Sequence, residues 1–196
     1  AKCLCQLRYP GRYHEGDFGL KIVGVDPGTW HTGVGIIDVR GSQYSLCHVE
    51  VIHVPKKMQL CGRLRHIYRA LSDILDRVSP EVMSLENVFF CRDVQALVKI
   101  GEARACAMLA ASEKEIPVVE YPPARVKQAV AGNGRATKDQ IRHMVRRLLN
   151  LRDMPCEDGA DALAAAICHV HAKNVPDLTA VREMQKKREA LRVRVS

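Results

Sequence analysis

The chain has 196 residues, 47% of them hydrophobic and 27% charged, and 30 Lys and Arg outweigh 22 Asp and Glu to leave a formal charge of +8. A length of this order makes one domain that buries roughly 70% of its unfolded surface, which excludes multidomain motors and polymerases and any need for a metal or disulfide staple. No run approaches the ~20 consecutive apolar residues of a bilayer crossing, and the opening residues lack a basic-then-apolar leader pattern, so the expectation is a cytoplasmic protein without a membrane partner.

After an irregular N-terminal extension (residues 1–20), residues 21–25 form a short apolar run that stops at the turn signal Asp26-Pro27-Gly28. Residues 33–39 and 44–54 are two further strand-like runs joined by Arg40-Gly41-Ser42, which predicts an antiparallel meander. From Leu60, the apolar positions Leu64, Ile67, Tyr68, Leu71, Ile74, Leu75 and Val78 keep helical spacing until Ser79-Pro80. Residues 82–86 are too short and too apolar for anything but a buried strand, and residues 94–114 read as a long helix rich in Ala. A fifth strand is expected at 116–121, and Pro122-Pro123 then opens a short helix through Val126 and Val130. Thr137-Lys138-Asp139-Gln140 has the spacing of a capping box, and the helix it starts carries a basic stripe of Lys138, Arg142 and Arg146. A final core helix is expected over 157–172, and a basic tail over 175–196. Three meander strands followed by alternating helices and strands imply an α/β domain over residues 21–174, with a five-stranded mixed sheet flanked by helices.

Eight cysteines are scattered without any C-x-x-C pair, so they read as free thiols in a reducing compartment and not as a zinc cluster. The basic residues are clustered: Arg135, Lys138, Arg142, Arg146, Arg147 and Arg152 in one segment, and Lys186, Lys187, Arg188, Arg192 and Arg194 at the end. Such blocks suit a polyanion or simply a solvated face.

The carboxylates are more specific. Asp26 ends the first strand, Glu86 ends the fourth, and Asp158 and Asp161 stand three apart at the start of the last helix. Taken singly, each has a plain reading as a turn residue, a strand end or a helix-start anion. Taken together they enter a core as like charges, which costs stability unless a cation neutralises them. Oxygen-only donors suit Mg²⁺ or Mn²⁺, and a pair of such ions can drive phosphodiester hydrolysis.

The run Ile22-Val23-Gly24-Val25-Asp26-Pro27-Gly28-Thr29, the block Leu85-Glu86-Asn87-Val88-Phe89, the stretch Val126-Lys127-Gln128-Ala129-Val130 and the closing Asp158-Gly159-Ala160-Asp161-Ala162-Leu163-Ala164 resemble the RuvC-type Holliday-junction resolvases. The resemblance spans residues 21–173 in the family's order. It implies a ribonuclease-H-like fold, a homodimer, and Mg²⁺-dependent paired nicking of four-way junction DNA, with a branch-migration helicase complex as a further partner. By motif, it makes Asp26, Glu86, Asp158 and Asp161 the catalytic and metal-holding acids, with two Mg²⁺ per site or Mn²⁺ in their place. Lys127 and Lys138 fall at the family's basic positions near the scissile phosphates, and Phe89 at the aromatic that stacks on an unpaired base. Arg142 and Arg146 extend the expected DNA contact. The sequence departs from the family at Val34, where an aromatic is frequent, and in both terminal extensions. His169 and His171 read as polar positions near a helix end. The alternatives are an actin-like phosphate loop around Gly24–Thr29, which would need a second half that this length lacks, a ribonuclease-H-like enzyme acting on RNA, and a non-catalytic DNA-binding module. The Ala-rich helix over 94–114 is the expected dimer interface, its other reading being ordinary packing on its own sheet.

Overall fold

The computed structural model describes residues 6–8, 19–87 and 93–172. Strand β2 (Leu20–Asp26) pairs antiparallel with β3 (His31–Arg40), and β3 with β4 (Gln43–His53). On the other side of β2, β5 (Val82–Glu86) lies parallel to it, and β6 (Val118–Tyr121) lies parallel to β5. These are the five strands expected from the apolar runs. A sixth, β1 (Gln6–Arg8), adds antiparallel to the outer side of β4, within the stretch read as irregular. Three residues offer no alternation for sequence reading to detect; the free edge of β4 supplies the hydrogen bonds that make them a strand. The spatial order is β1-β4-β3-β2-β5-β6.

The five helices are α1 (Leu60–Val78), α2 (Val94–Glu113), α3 (Pro123–Ala131), α4 (Lys138–Leu148) and α5 (Glu157–His171). Their ends have identifiable causes. α1 closes at Ser79, which takes a left-handed conformation (φ 51°) and donates its N–H to the Leu75 carbonyl. α2 starts at Asp93, whose carboxylate accepts from the N–H groups of Gln95 and Ala96. α4 starts with the expected capping box between Thr137 and Gln140.

Because strand side chains alternate, the sheet divides its apolar residues between two layers. Val23, Val25, Ile36, Met83 and Leu85 pack under α1 and α2 with Ile67, Leu71 and Ala107. Ile22 and Ile37 face the opposite way, towards α3, α4 and α5, with Val126, Ile141, Leu163 and Ile167. α5 lies almost on the backbone of β2 and β3. A Cβ at Gly24 would overlap the Ala162 carbonyl oxygen, and one at Gly33 the Asp158 carbonyl oxygen. His169 differs from its reading as a polar helix-end residue. It is buried, its Nδ1 lies 2.8 Å from the Tyr121 hydroxyl, and burial pushes its pKa down, favouring a neutral ring in the core.

Gly24→Ala is therefore expected to destabilise the fold by at least about 2 kcal/mol, because α5 must lift off the sheet or the strand must shift. Gly101→Ala, where nothing lies near the new methyl, should be neutral or stabilising by up to ~1 kcal/mol in helix α2. Urea unfolding of the two variants checks the contrast.

Candidate active site

The alternation that divides the core also aims the carboxylates. Ile22 and Gly24 face α5, so Asp26, two residues further along β2, shares that face. On β5 the Ser84 hydroxyl donates to the Ala165 carbonyl of α5 at 2.7 Å, and Glu86 follows on the same side. Val25 is in register with Leu85 in the parallel pair, which sets Asp26 and Glu86 abreast at the carboxyl ends of adjacent strands. The first turn of α5 completes the arrangement. Gly33, the cross-strand partner of Asp26, leaves room for the Asp158 backbone, so Asp158 and Asp161 arrive over the same sheet edge.

The electrostatics record this convergence. Asp26 is pushed from its ordinary 3.8 up to about 7, first by burial and then by the charges of Asp161, Asp158 and Glu86. Burial, followed by the charge of Asp161, also raises Glu86, and burial raises Asp161. Two cations work against these effects. Lys127, on the side of α3, lowers Glu86; Lys138, the first residue of α4, lowers Asp26, Glu86 and Asp161. The Lys138 ammonium donates to Glu157 Oε1 and lies 3.6 Å from Asp161 Oδ2. Among the described residues no three His, Cys, Asp or Glu side chains stand close enough together to hold a metal ion as placed here, but the four acids that repel one another at this edge offer only oxygen donors. That donor chemistry, all oxygen and all mutually repelled, fits a hard divalent cation.

The structure brings Asp26, Glu86, Asp158, Asp161, Lys127 and Lys138 together from two strands and three helices, β2, β5, α3, α4 and α5. Arg142 and Arg146 have an internal task that their sequence spacing does not reveal. Arg142 donates through Nε and Nη2 to the Pro155 carbonyl at 3.3 and 3.1 Å, and Arg146 reaches the Leu151 and Arg152 carbonyls at 3.3 Å each. Both therefore brace the loop that delivers α5. Phe89 and the basic tail lie outside the described residues. Glu157 was missed: as a helix-start acid beside a stronger motif, it had no local feature to mark its contact with α4.

A family model described as Crossover junction endodeoxyribonuclease RuvC matches residues 22–169. The chain is 44% identical over 156 residues to the crossover junction endodeoxyribonuclease RuvC of Halorhodospira halophila, covering 80% of this chain and 93% of the relative. The Thermotoga maritima protein of the same name is 44% identical over 151 residues, covering 76% and 90% respectively. Among solved structures, Thermus thermophilus RuvC in complex with a Holliday junction substrate superposes with a TM-score of 0.74 at 36% identity, over 78% of this chain and 93% of that one. The yeast mitochondrial Holliday junction resolvase, at 10% identity and a TM-score of 0.56 over 80% of this chain and 82% of that one, shares the fold.

The raised pKa of Asp26 has a defined effect on stability. A folded-state pKa above the unfolded value means that the native state holds the proton more tightly, so metal-free stability falls as pH rises from about 4 to about 7. Asp26→Asn imitates the protonated form. In EDTA at pH 8 it should be more stable than wild type by on the order of 2 kcal/mol, and the gain should vanish towards pH 4. Thermal melts across that range test this; a variant less stable than wild type at pH 8 would show that the Asp26 carboxyl is not held above its ordinary pKa.

Proposed function

The chain belongs to the RuvC family of crossover junction endodeoxyribonucleases, and from that premise we propose that it resolves four-way DNA (Holliday) junctions by paired, symmetric, divalent-metal-dependent hydrolysis of phosphodiester bonds, in DNA recombination and repair. The observation that carries this reading is the convergence of Asp26, Glu86, Asp158 and Asp161 on one edge of a ribonuclease-H-like sheet, with Lys127 and Lys138 beside them.

Asp26, Glu86, Asp158 and Asp161 are the residues that would hold the metal, two Mg²⁺ in this reading, with Mn²⁺ as the alternative. Bound there, it supplies a polarised water and charge neutralisation for a leaving 3′ oxygen. The chain contributes the rest. α5 sits on β2 and β3 through a backbone contact too tight to slide, and the Ser84 hydroxyl ties β5 to it, which holds the carboxylates in place. Lys127 and Lys138 offer ammonium groups to the phosphates flanking the cut, and Arg142 and Arg146 add positive charge along the approach. Phe89, three residues beyond Glu86, is assigned to stacking on an unpaired base, a contact of ~1–3 kcal/mol that helps hold the junction open.

A junction has two-fold symmetry, so two symmetric cuts require two sites on one scaffold. Helix α2 supports a homodimer. Ala103, Ala107, Ala110 and Ala111 are consumed by packing within the chain, yet Val94, Val98 and Leu109 are 69%, 54% and 61% exposed along its other side. Apolar side chains at this spacing suit a second copy of the same helix. A branch-migration helicase complex is the further partner that family membership suggests, and the cytoplasm is the compartment. No helix among the described residues is long and apolar enough to cross a membrane.

Asp26→Asn should lower nicking of a four-way junction by at least ~100-fold in Mg²⁺ while leaving junction affinity unchanged or higher, since a metal ligand and a repulsive charge are lost but no phosphate contact. Linear duplex and RNA–DNA hybrid, assayed in parallel, separate junction resolution from general nuclease activity. Near-wild-type nicking by the variant would sink the assignment. Separately, Val98→Glu with Leu109→Glu, both at exposed positions, should leave a folded monomer by light scattering that binds junctions but has lost paired cutting.

A further inference from the structure

Glu157 is a carboxylate at this edge that the four-acid site does not use. It is the first residue of α5, four before Asp161, so the two acids stand one turn apart on the same side of the helix. Lys138 is the first residue of α4. An ammonium at a helix N-terminus opposes the helix dipole, so its own helix does not favour it there. What holds it is the neighbouring helix: its Nζ donates to Glu157 Oε1 and lies 3.6 Å from Asp161 Oδ2. The two side chains remain 64% and 55% exposed, respectively, so the ion pair faces solvent and is easily exchanged.

We propose that Glu157 is a positioning residue that holds Lys138 beside the acidic cluster in the free protein and competes with a DNA phosphate for it when a junction binds. A carboxylate and a phosphate offer the same acceptor chemistry to an ammonium with three donors. In the absence of DNA, Glu157 keeps the lysine next to Asp161, where it partly offsets the repulsion among the acids. Loading the junction transfers the ammonium to the backbone at the place where cleavage occurs. The inference rests on the reading of Lys138 as a phosphate contact.

The test measures affinity for a labelled four-way junction in EDTA over a range of salt concentrations, for wild type, Glu157→Gln, Lys138→Met and the double variant, with thermal melts confirming that each is folded. Lys138→Met should weaken binding and flatten the salt dependence by about one counterion. Glu157→Gln should tighten binding roughly two- to fivefold, the factor an exposed ion pair is worth. That gain should disappear in the Lys138→Met background. An equal gain in both backgrounds would show only a general loss of negative charge, and no gain in either would show no competition; each overturns the proposal while leaving Lys138 a phosphate contact. Unchanged binding by Lys138→Met would overturn both.

Discussion

The close seating of α5 on β2 and β3 governs the rest of the molecule. Gly24 and Gly33 present bare backbone where α5 crosses, and the helix answers with Ala162, Ala164, Ala165 and Ala166, so the two elements meet backbone to backbone. At that distance the helix has little freedom to slide or rotate. Its first turn is thereby fixed over the carboxyl ends of β2 and β5, and the positions of Asp158 and Asp161 relative to Asp26 and Glu86 follow. Arg142 secures the other end of the problem, gripping the Pro155 carbonyl so that the chain enters α5 at one place.

Convergence has an energetic cost. Four acids brought to one partly buried edge repel, and Asp26 rises to about 7 through desolvation first and that repulsion second. The fold tolerates the strain because the surrounding layers are well packed, with Ile22, Val25, Leu85 and Leu163 fully buried close by. Lys127 and Lys138 soften it without abolishing it. A site relaxed completely by its own lysines would have no affinity left for a cation, so partial compensation is the state consistent with function.

The sheet also separates tasks. One face carries α3, α4 and α5, hence the acids and both lysines. The other carries α1 and α2, and the outward side of α2 leaves Val94, Val98 and Leu109 uncovered. Pairing two copies through α2 would thus leave the acid-bearing face of each unobstructed.

The sequence by itself determined the five main strands, the five helices and several of their ends, because periodicity, Ser79-Pro80 and the Thr137 capping box act over a few residues. The four acids and two lysines were legible too, through motifs whose order along the chain resembles a known family. The three-residue β1, the buried state of His169, the bracing role of Arg142 and Arg146, and the contact between Lys138 and Glu157 were decided only by tertiary structure. Each depends on a partner distant along the chain or across a loop: β4 for β1, Tyr121 for His169, the carbonyls before α5 for the arginines, and a different helix for Lys138. Local pattern specifies which face of an element is apolar; it does not specify what that face, or the charge at its edge, will meet once the layers close.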